Sequence, residues 1–262
     1  MRTLADHWPE YASEAICLAL FMVSAAGVTT LLRHPLSPFS SWSPSPLVQR
    51  IPIGIAMGLT LTAIVYSPLG GRSGAHMNPA LTLTFLRLGK VSAKDAAAYV
   101  IAQFAGGTLG ILAATRLFAG LPADPSVNFV ATVPGPHGAA AAFLAETTIS
   151  FGMMLLVLGV SNASRLMRWT GVCAGVLVAI YITIEAPLSG MSMNPARTLG
   201  PAMLAHTAQS LWIYFTAPPL GMLLAAELYV RRFGRARVRC AKLHHPSGTR
   251  CIFRCRFMEN PA

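Results

Sequence analysis

Charge is scarce in this sequence. Asp, Glu, Lys and Arg make up 11% of the 262 residues, only nine of these are acids, and hydrophobic residues make up 54%. Such a composition excludes an ordinary soluble domain, in which about a quarter of the residues are charged, and points to a polytopic membrane protein. Cysteine is sparse too. Cys17 and Cys173 lie in apolar runs, and Cys240, Cys251 and Cys255 lie near the C-terminal end. An odd, scattered set is no disulfide framework. A basic start is also missing, because Asp6, Glu10 and Glu14 stand at the opening of the first apolar run. The chain is therefore expected to begin on a span that stays, not on a cleaved signal. No loop groups a nucleophile, a base and an orienting residue, so an enzyme is not expected.

The charge that is present is unevenly placed. From Arg231 onward, nine of the twenty Lys and Arg stand against a single acid, Glu259, so +8 of the net +11 sits in the last stretch. A basic tail beside a membrane suits anionic lipid, and no nucleic-acid partner is expected. Arg2, Arg72, Arg87, Lys90, Lys94, Arg165, Arg168 and the tail alternate along the chain with a poorer set, Arg33, Arg50, Arg116 and Arg197. The positive-inside rule puts the richer set in the cytoplasm, which implies an even number of spans and both termini inside a plasma or inner membrane. Residues 233–262 read as a basic cytoplasmic tail without fixed structure. Its cysteines could be drawn with His244 and His245 as a metal site, but Cys-x10-Cys-x3-Cys matches no common zinc spacing. No metal and no cofactor are expected.

Six apolar runs have the length of a span: 11–32, 48–66, 95–118, 138–160, 169–187 and 209–230. After the second and the fifth comes a related stretch, Gly74-Ala75-His76-Met77-Asn78-Pro79-Ala80 and Gly190-Met191-Ser192-Met193-Asn194-Pro195-Ala196-Arg197. Pro suits the first position of a helix and Asn the position before it. Each tripeptide therefore predicts a helix N-terminus, opening short half-helices over 77–86 and 193–205 that enter a bilayer without crossing it. Each half holds three spans, an odd number, so the second half is inserted upside down. The expected fold is all-α: six transmembrane helices and two re-entrant half-helices in an inverted repeat, about 10–118 and 138–231, within a channel domain over 1–232.

Ser73-Gly-Ala-His-Met-Asn-Pro-Ala80 and Ser189-Gly-Met-Ser-Met-Asn-Pro-Ala-Arg197 resemble the two signature loops of the major intrinsic protein family, the aquaporins and glycerol facilitators. Glu14, Glu146 and Tyr99-Val-Ile-Ala-Gln103 strengthen the resemblance. It implies a passive channel for water and small uncharged solutes such as glycerol, closed to protons and ions, with one pore per protomer and a homotetramer in the lipid bilayer. The pore would be centred on Asn78, Pro79 and Ala80 with Asn194, Pro195 and Ala196. The resemblance places Arg197 in a selectivity filter with Ile182, Met191 and a residue of the second span, Met57 or Gly58. It gives Glu14, Glu146, His76 and Gln103 the task of bracing the loops. Two half-helix N-termini meeting at the midplane make a positive centre that repels cations, the established physics of aquaporin-type pores and not a feature particular to this chain.

Departures from the family pattern bear on the solute. Strict water channels of the family usually carry His at the position of Ile182 and an aromatic at that of Met57 or Gly58. Thr198 and Ala202 stand where glycerol facilitators tend to carry Asp and a basic residue, and Tyr214-Phe215 resemble the water-channel aromatic pair. Two other functions stay open on these residues: a coupled transporter using Glu14 or Glu146 as proton carrier, and a non-conducting scaffold on the same fold. His76 is placed to line the mouth, where its imidazole would respond to pH, or to brace the loop.

Overall fold

Each apolar run forms a helix long and apolar enough to cross a bilayer. The computed structural model describes residues 2–246 and 248–256. The spans of the first half are α1 (Trp8–Arg33), α2 (Pro46–Tyr66) and, after the half-helix α3 (Pro79–Arg87), α4 (Ala93–Leu117). The second half repeats the order with α5 (Gly138–Ser161), α6 (Thr170–Ile184), the half-helix α7 (Pro195–Leu204) and α8 (Leu211–Phe233). The half-helices begin two residues later than the sequence suggests, because Met77 and Met193 adopt left-handed φ values of 49° and 53°.

Small residues decide which helix faces touch. In a bilayer no hydrophobic force drives helices together, so close backbone approach must supply the packing. A Cβ on Gly58 would lie 2.4 Å from the Gly175 carbonyl oxygen, and one on Gly175 2.5 Å from that of Gly58. This contact joins α2 to α6 and so ties one half to the other. Gly107 makes the same close approach to Ala196 at the tip of α7. Large side chains such as Leu20, Leu59, Ile101 and Val176 remain exposed on the outer faces, where hydrocarbon would cover them. Each half-helix is also held by a span of the opposite half, α3 by α8 and α7 by α4.

The stretch after Gly234, which composition alone reads as disordered, packs against the helices. Val238, Cys240, Ala241, Lys242, Leu243 and Phe253 are buried. The Leu243 N–H donates to Gly74 O (3.1 Å), Arg254 N–H to Lys90 O (2.9 Å) and Arg239 N–H to Asn162 Oδ1 (2.7 Å). The first re-entrant loop, the α3–α4 turn and the end of α5 thus form one groove that accepts the tail's main chain. Arg250 Nη1 donates to Asp6 O at 3.0 Å, so the tail and the residues just ahead of α1 lie on one face of the molecule, called the tail face below.

Candidate pore

The two half-helices meet by their tips. Asn78 caps α3 by accepting from Ala80 N–H (2.9 Å), and Asn194 caps α7 by accepting from Ala196 N–H (3.0 Å) and Arg197 N–H (3.2 Å). The same two amides cross the junction: Asn78 Nδ2 donates to Met193 O (2.7 Å), and Asn194 Nδ2 to Met77 O (2.6 Å). An amide nitrogen carries two hydrogens. One of each is committed to the opposite loop, and both residues border a single cavity of about 410 Å³.

The loops ahead of the tips are mirror copies in conformation as well as in sequence. Gly74, Ala75 and Met77 have positive φ, and so do Gly190, Met191 and Met193 at the same offset. For the four residues that are not glycine this costs on the order of 1 kcal/mol each, so something must hold them. Glu146 does so in the second loop, where its two carboxylate oxygens accept from Ser192 N–H (2.6 Å), Met193 N–H (2.7 Å) and Ser189 Oγ (2.8 Å). In the first loop Glu14 accepts from Met77 N–H and from Gln103 Nε2 (2.7 Å). Tyr99 donates to Ser73 O (2.6 Å), as Tyr214 does to Ser189 O (2.5 Å). Neither Glu14 nor Glu146 borders the cavity, and both are 0% exposed.

Bracing by Tyr99 and Tyr214 is missed by the sequence reading, which treats the second only as half of an aromatic pair. Phe215 leaves the core and stacks on Phe104. Thr198, read as a solute marker, is buried and bonded to Thr132 Oγ1 at 3.0 Å.

The cavity runs from Arg33 and Arg50 on the face opposite the tail, past Arg197 and the paired Asn, to His76 and Leu243 on the tail face. Its apolar wall includes one stripe on α2, Ile53, Met57 and Leu61, and one on α6, Val178 and Ile182, with Met191 from the loop, Phe21 from α1 and Met153 and Val157 from α5. Of the two candidates in the second span, Met57 borders the cavity. Gly58 does not, because it is spent on the contact with Gly175. Arg197 is held by Nη1 donating to Val130 O (2.9 Å). The loop joining the halves therefore dips in to orient the guanidinium, a contact the sequence does not signal.

At the other end His76 is enclosed. Its Nδ1 lies 3.0 Å from Thr82 Oγ1, itself an acceptor from Gln103 Nε2 (2.9 Å), and its Nε2 lies 2.9 Å from Ala241 O. A carbonyl only accepts, so Nε2 carries the proton. The ring is stacked between Phe85 and Phe253, each with its centroid 5.3 Å away. Lys242 beside it donates to Gly71 O (2.6 Å) and Arg250 O (2.8 Å), and burial pulls its pKa below the ordinary lysine value. The sequence missed Ala241, Lys242, Leu243 and Phe253 as part of this site.

The sequence model of one protein family, Major intrinsic protein, matches residues 2–229. The chain belongs to that family. Among relatives of this major intrinsic protein, Aquaporin NIP1-2 of Arabidopsis thaliana is 40% identical over 182 residues, 68% of this chain and 61% of that one. Aquaporin NIP1-2 of Oryza sativa subsp. japonica is 38% identical over 175 residues, 66% of this chain and 57% of that one. The chain thus spans about 60% of the length of the curated relatives it matches. In fold, this major intrinsic protein is similar to the aquaglyceroporin from Plasmodium falciparum, with a TM-score of 0.69 at 20% identity, over 85% of this chain and 95% of that one. The packed tail lies beyond the part the family model matches.

Proposed function

We propose that this major intrinsic protein is a passive channel for water and small uncharged solutes such as glycerol, closed to protons and other ions. The observation that carries the reading is the reciprocal pairing of Asn78 and Asn194 across one continuous cavity. The second amide hydrogen of each Asn is left to donate to the oxygen of a passing water or hydroxyl. Each half-helix tip adds about half a positive charge, and Arg33, Arg50 and Arg197 along the same passage add more. Cations are repelled throughout, while a neutral solute meets donors on one side and hydrocarbon on the other.

Arg197, Ile182, Met191 and Met57 make the filter in this reading. With no aromatic among them, the wall accepts a solute with some apolar surface. The names of the plant relatives, all of them aquaporins, support the channel class. The tail face belongs to the cytoplasm by the positive-inside rule, since it carries the Lys- and Arg-rich set, in a plasma or inner membrane. Four such chains assemble, each with its own pore, as the family resemblance implies.

The test is light-scattering stopped flow on proteoliposomes, comparing water, glycerol and urea without any ion gradient. Permeation of water well above empty liposomes supports the reading. A requirement for an ion gradient would replace it with a coupled transporter, and no permeation of any of the three by chelator-treated chain would leave a scaffold.

A further inference from the structure

The tail holds a second cluster of chemistry-bearing groups, none of which lines the cavity. Cys240, His245, Cys251 and Cys255 bring one ligand atom each to within 4.8 Å of one another. Cys240 Sγ and Cys251 Sγ are 3.6 Å apart, and Cys255 Sγ is 3.3 Å from His245 Nε2. Zinc held tetrahedrally by three thiolates and an imidazole has edges of about 3.8 Å between sulfurs and about 3.5 Å between sulfur and nitrogen. Two of the six edges of the cluster already have about that length, and none exceeds 4.8 Å. His245 joins it, whereas His244 turns its ring edge to Tyr66.

The positions of these ligands in the chain matter as much as their distances. Between Cys240 and His245 lie Ala241, which accepts from His76, and Leu243, which borders the cavity. Between Cys251 and Cys255 lies Phe253, which stacks on His76. Each stretch that touches the mouth is thus bracketed by a pair of ligands. Apart from one short turn over Arg235–Arg237, the described residues of the tail contain no helix or strand. A segment of some twenty residues without regular structure cannot fix two such contacts by its own core, and a metal staple is the usual remedy.

We propose that Cys240, His245, Cys251 and Cys255 bind one zinc-class divalent cation, and that the ion locks the tail as a plug on the tail-side mouth of the pore. Three thiols and a neutral imidazole form the ligand set. As each metal–sulfur bond forms, the thiol proton leaves to solvent, so no oxidant or reductant is needed. Thiolate-rich tetrahedral sites favour zinc over magnesium or calcium. With the ion bound, Leu243 and Phe253 stay seated against Gly74 and His76. Without it, the two stretches part and the mouth opens. The lock, though not the metal site, rests on the channel reading above.

The full chain, purified reduced and stripped by a chelator, is titrated with Co2+ and then with Zn2+. The expected result is uptake of one Co2+ per chain, with the thiolate-to-cobalt charge-transfer band and intense visible bands of a tetrahedral site, displaced by one equivalent of Zn2+. Cys251→Ser with Cys255→Ser abolishes the spectrum, whereas Cys173→Ser leaves it unchanged. A weak octahedral spectrum, uptake indifferent to the double substitution, or a Cys240–Cys251 disulfide persisting in reductant would overturn the site.

For the lock, the same protein is placed in liposomes. Zn2+-loaded chain should pass water slowly, and the chelator or the double substitution should raise the rate several-fold. Phe253→Ala should bind Co2+ with the wild-type spectrum yet pass water with Zn2+ bound. Equal rates with and without metal would overturn the lock. If neither form passes water or glycerol, the channel reading fails and takes the lock with it, while the cobalt spectrum still decides the metal site.

Discussion

His76 Nε2 lies 2.9 Å from the carbonyl oxygen of Ala241, a residue 165 positions further along the chain. Through Thr82 and Gln103, the other side of the same imidazole is connected to Glu14, which holds the first re-entrant loop. One hydrogen-bonded chain therefore runs from the brace of a half-helix tip to the tail that covers the mouth. Lining the mouth and bracing the loop are not alternatives for His76. It borders the cavity and is tied on both sides.

Glu146→Gln tests the bracing. Both carboxylate oxygens are acceptors, so an amide would set its own N–H₂ against Ser192 or Met193 N–H. Leaving a buried donor without its acceptor costs about 1–3 kcal/mol. Thermal unfolding in detergent should shift down by an amount of that order, with lower yield of folded protein. Unchanged stability combined with lost pH-dependent transport would instead favour the proton-carrier role.

Met57 and Gly58 should part company on substitution. Gly58→Ala places a methyl 2.4 Å from a backbone oxygen of α6, and overpacking of that kind costs about 1–3 kcal/mol. It should lower the melting temperature. Met57→Phe should leave folding intact and reduce glycerol flux relative to water. The reverse pattern would move the filter position to Gly58.

Much of this was legible in advance, for reasons that are local. Asn-Pro-Ala announces a helix start because both the cap and the fixed φ act within three residues, and three spans in each half, an odd number, announce the inversion. The choice between Met57 and Gly58 was not legible, since they are neighbours in one span and nothing local tells which faces the cavity. The contact that turns Gly58 away is with Gly175, 117 positions further on. The tail was illegible for a different reason. Its burial depends on Gly71, Gly74, Lys90 and Asn162, each remote in sequence, while its local composition is that of a solvated basic segment.

Arg197→Ala should raise glycerol permeation several-fold relative to water, because the guanidinium occupies one wall of the passage and is fixed there by Val130. Ile182→His should act in the opposite sense, adding a polar ring where the wall is apolar and narrowing permeation toward water. Stopped-flow ratios of glycerol to water decide both. An Ile182→His ratio equal to that of wild type would refute its place in the filter.

The central claim is that two opposed half-helix tips, joined by Asn78 and Asn194, form the waist of a passive water passage. The most direct measurement is the osmotic shrinkage rate of liposomes carrying the metal-stripped chain, with identical ion compositions on both sides. The account predicts shrinkage several-fold faster than protein-free liposomes, lost in Asn78→Ala with Asn194→Ala although the protein still inserts. A wild-type rate no faster than that of empty liposomes would contradict it.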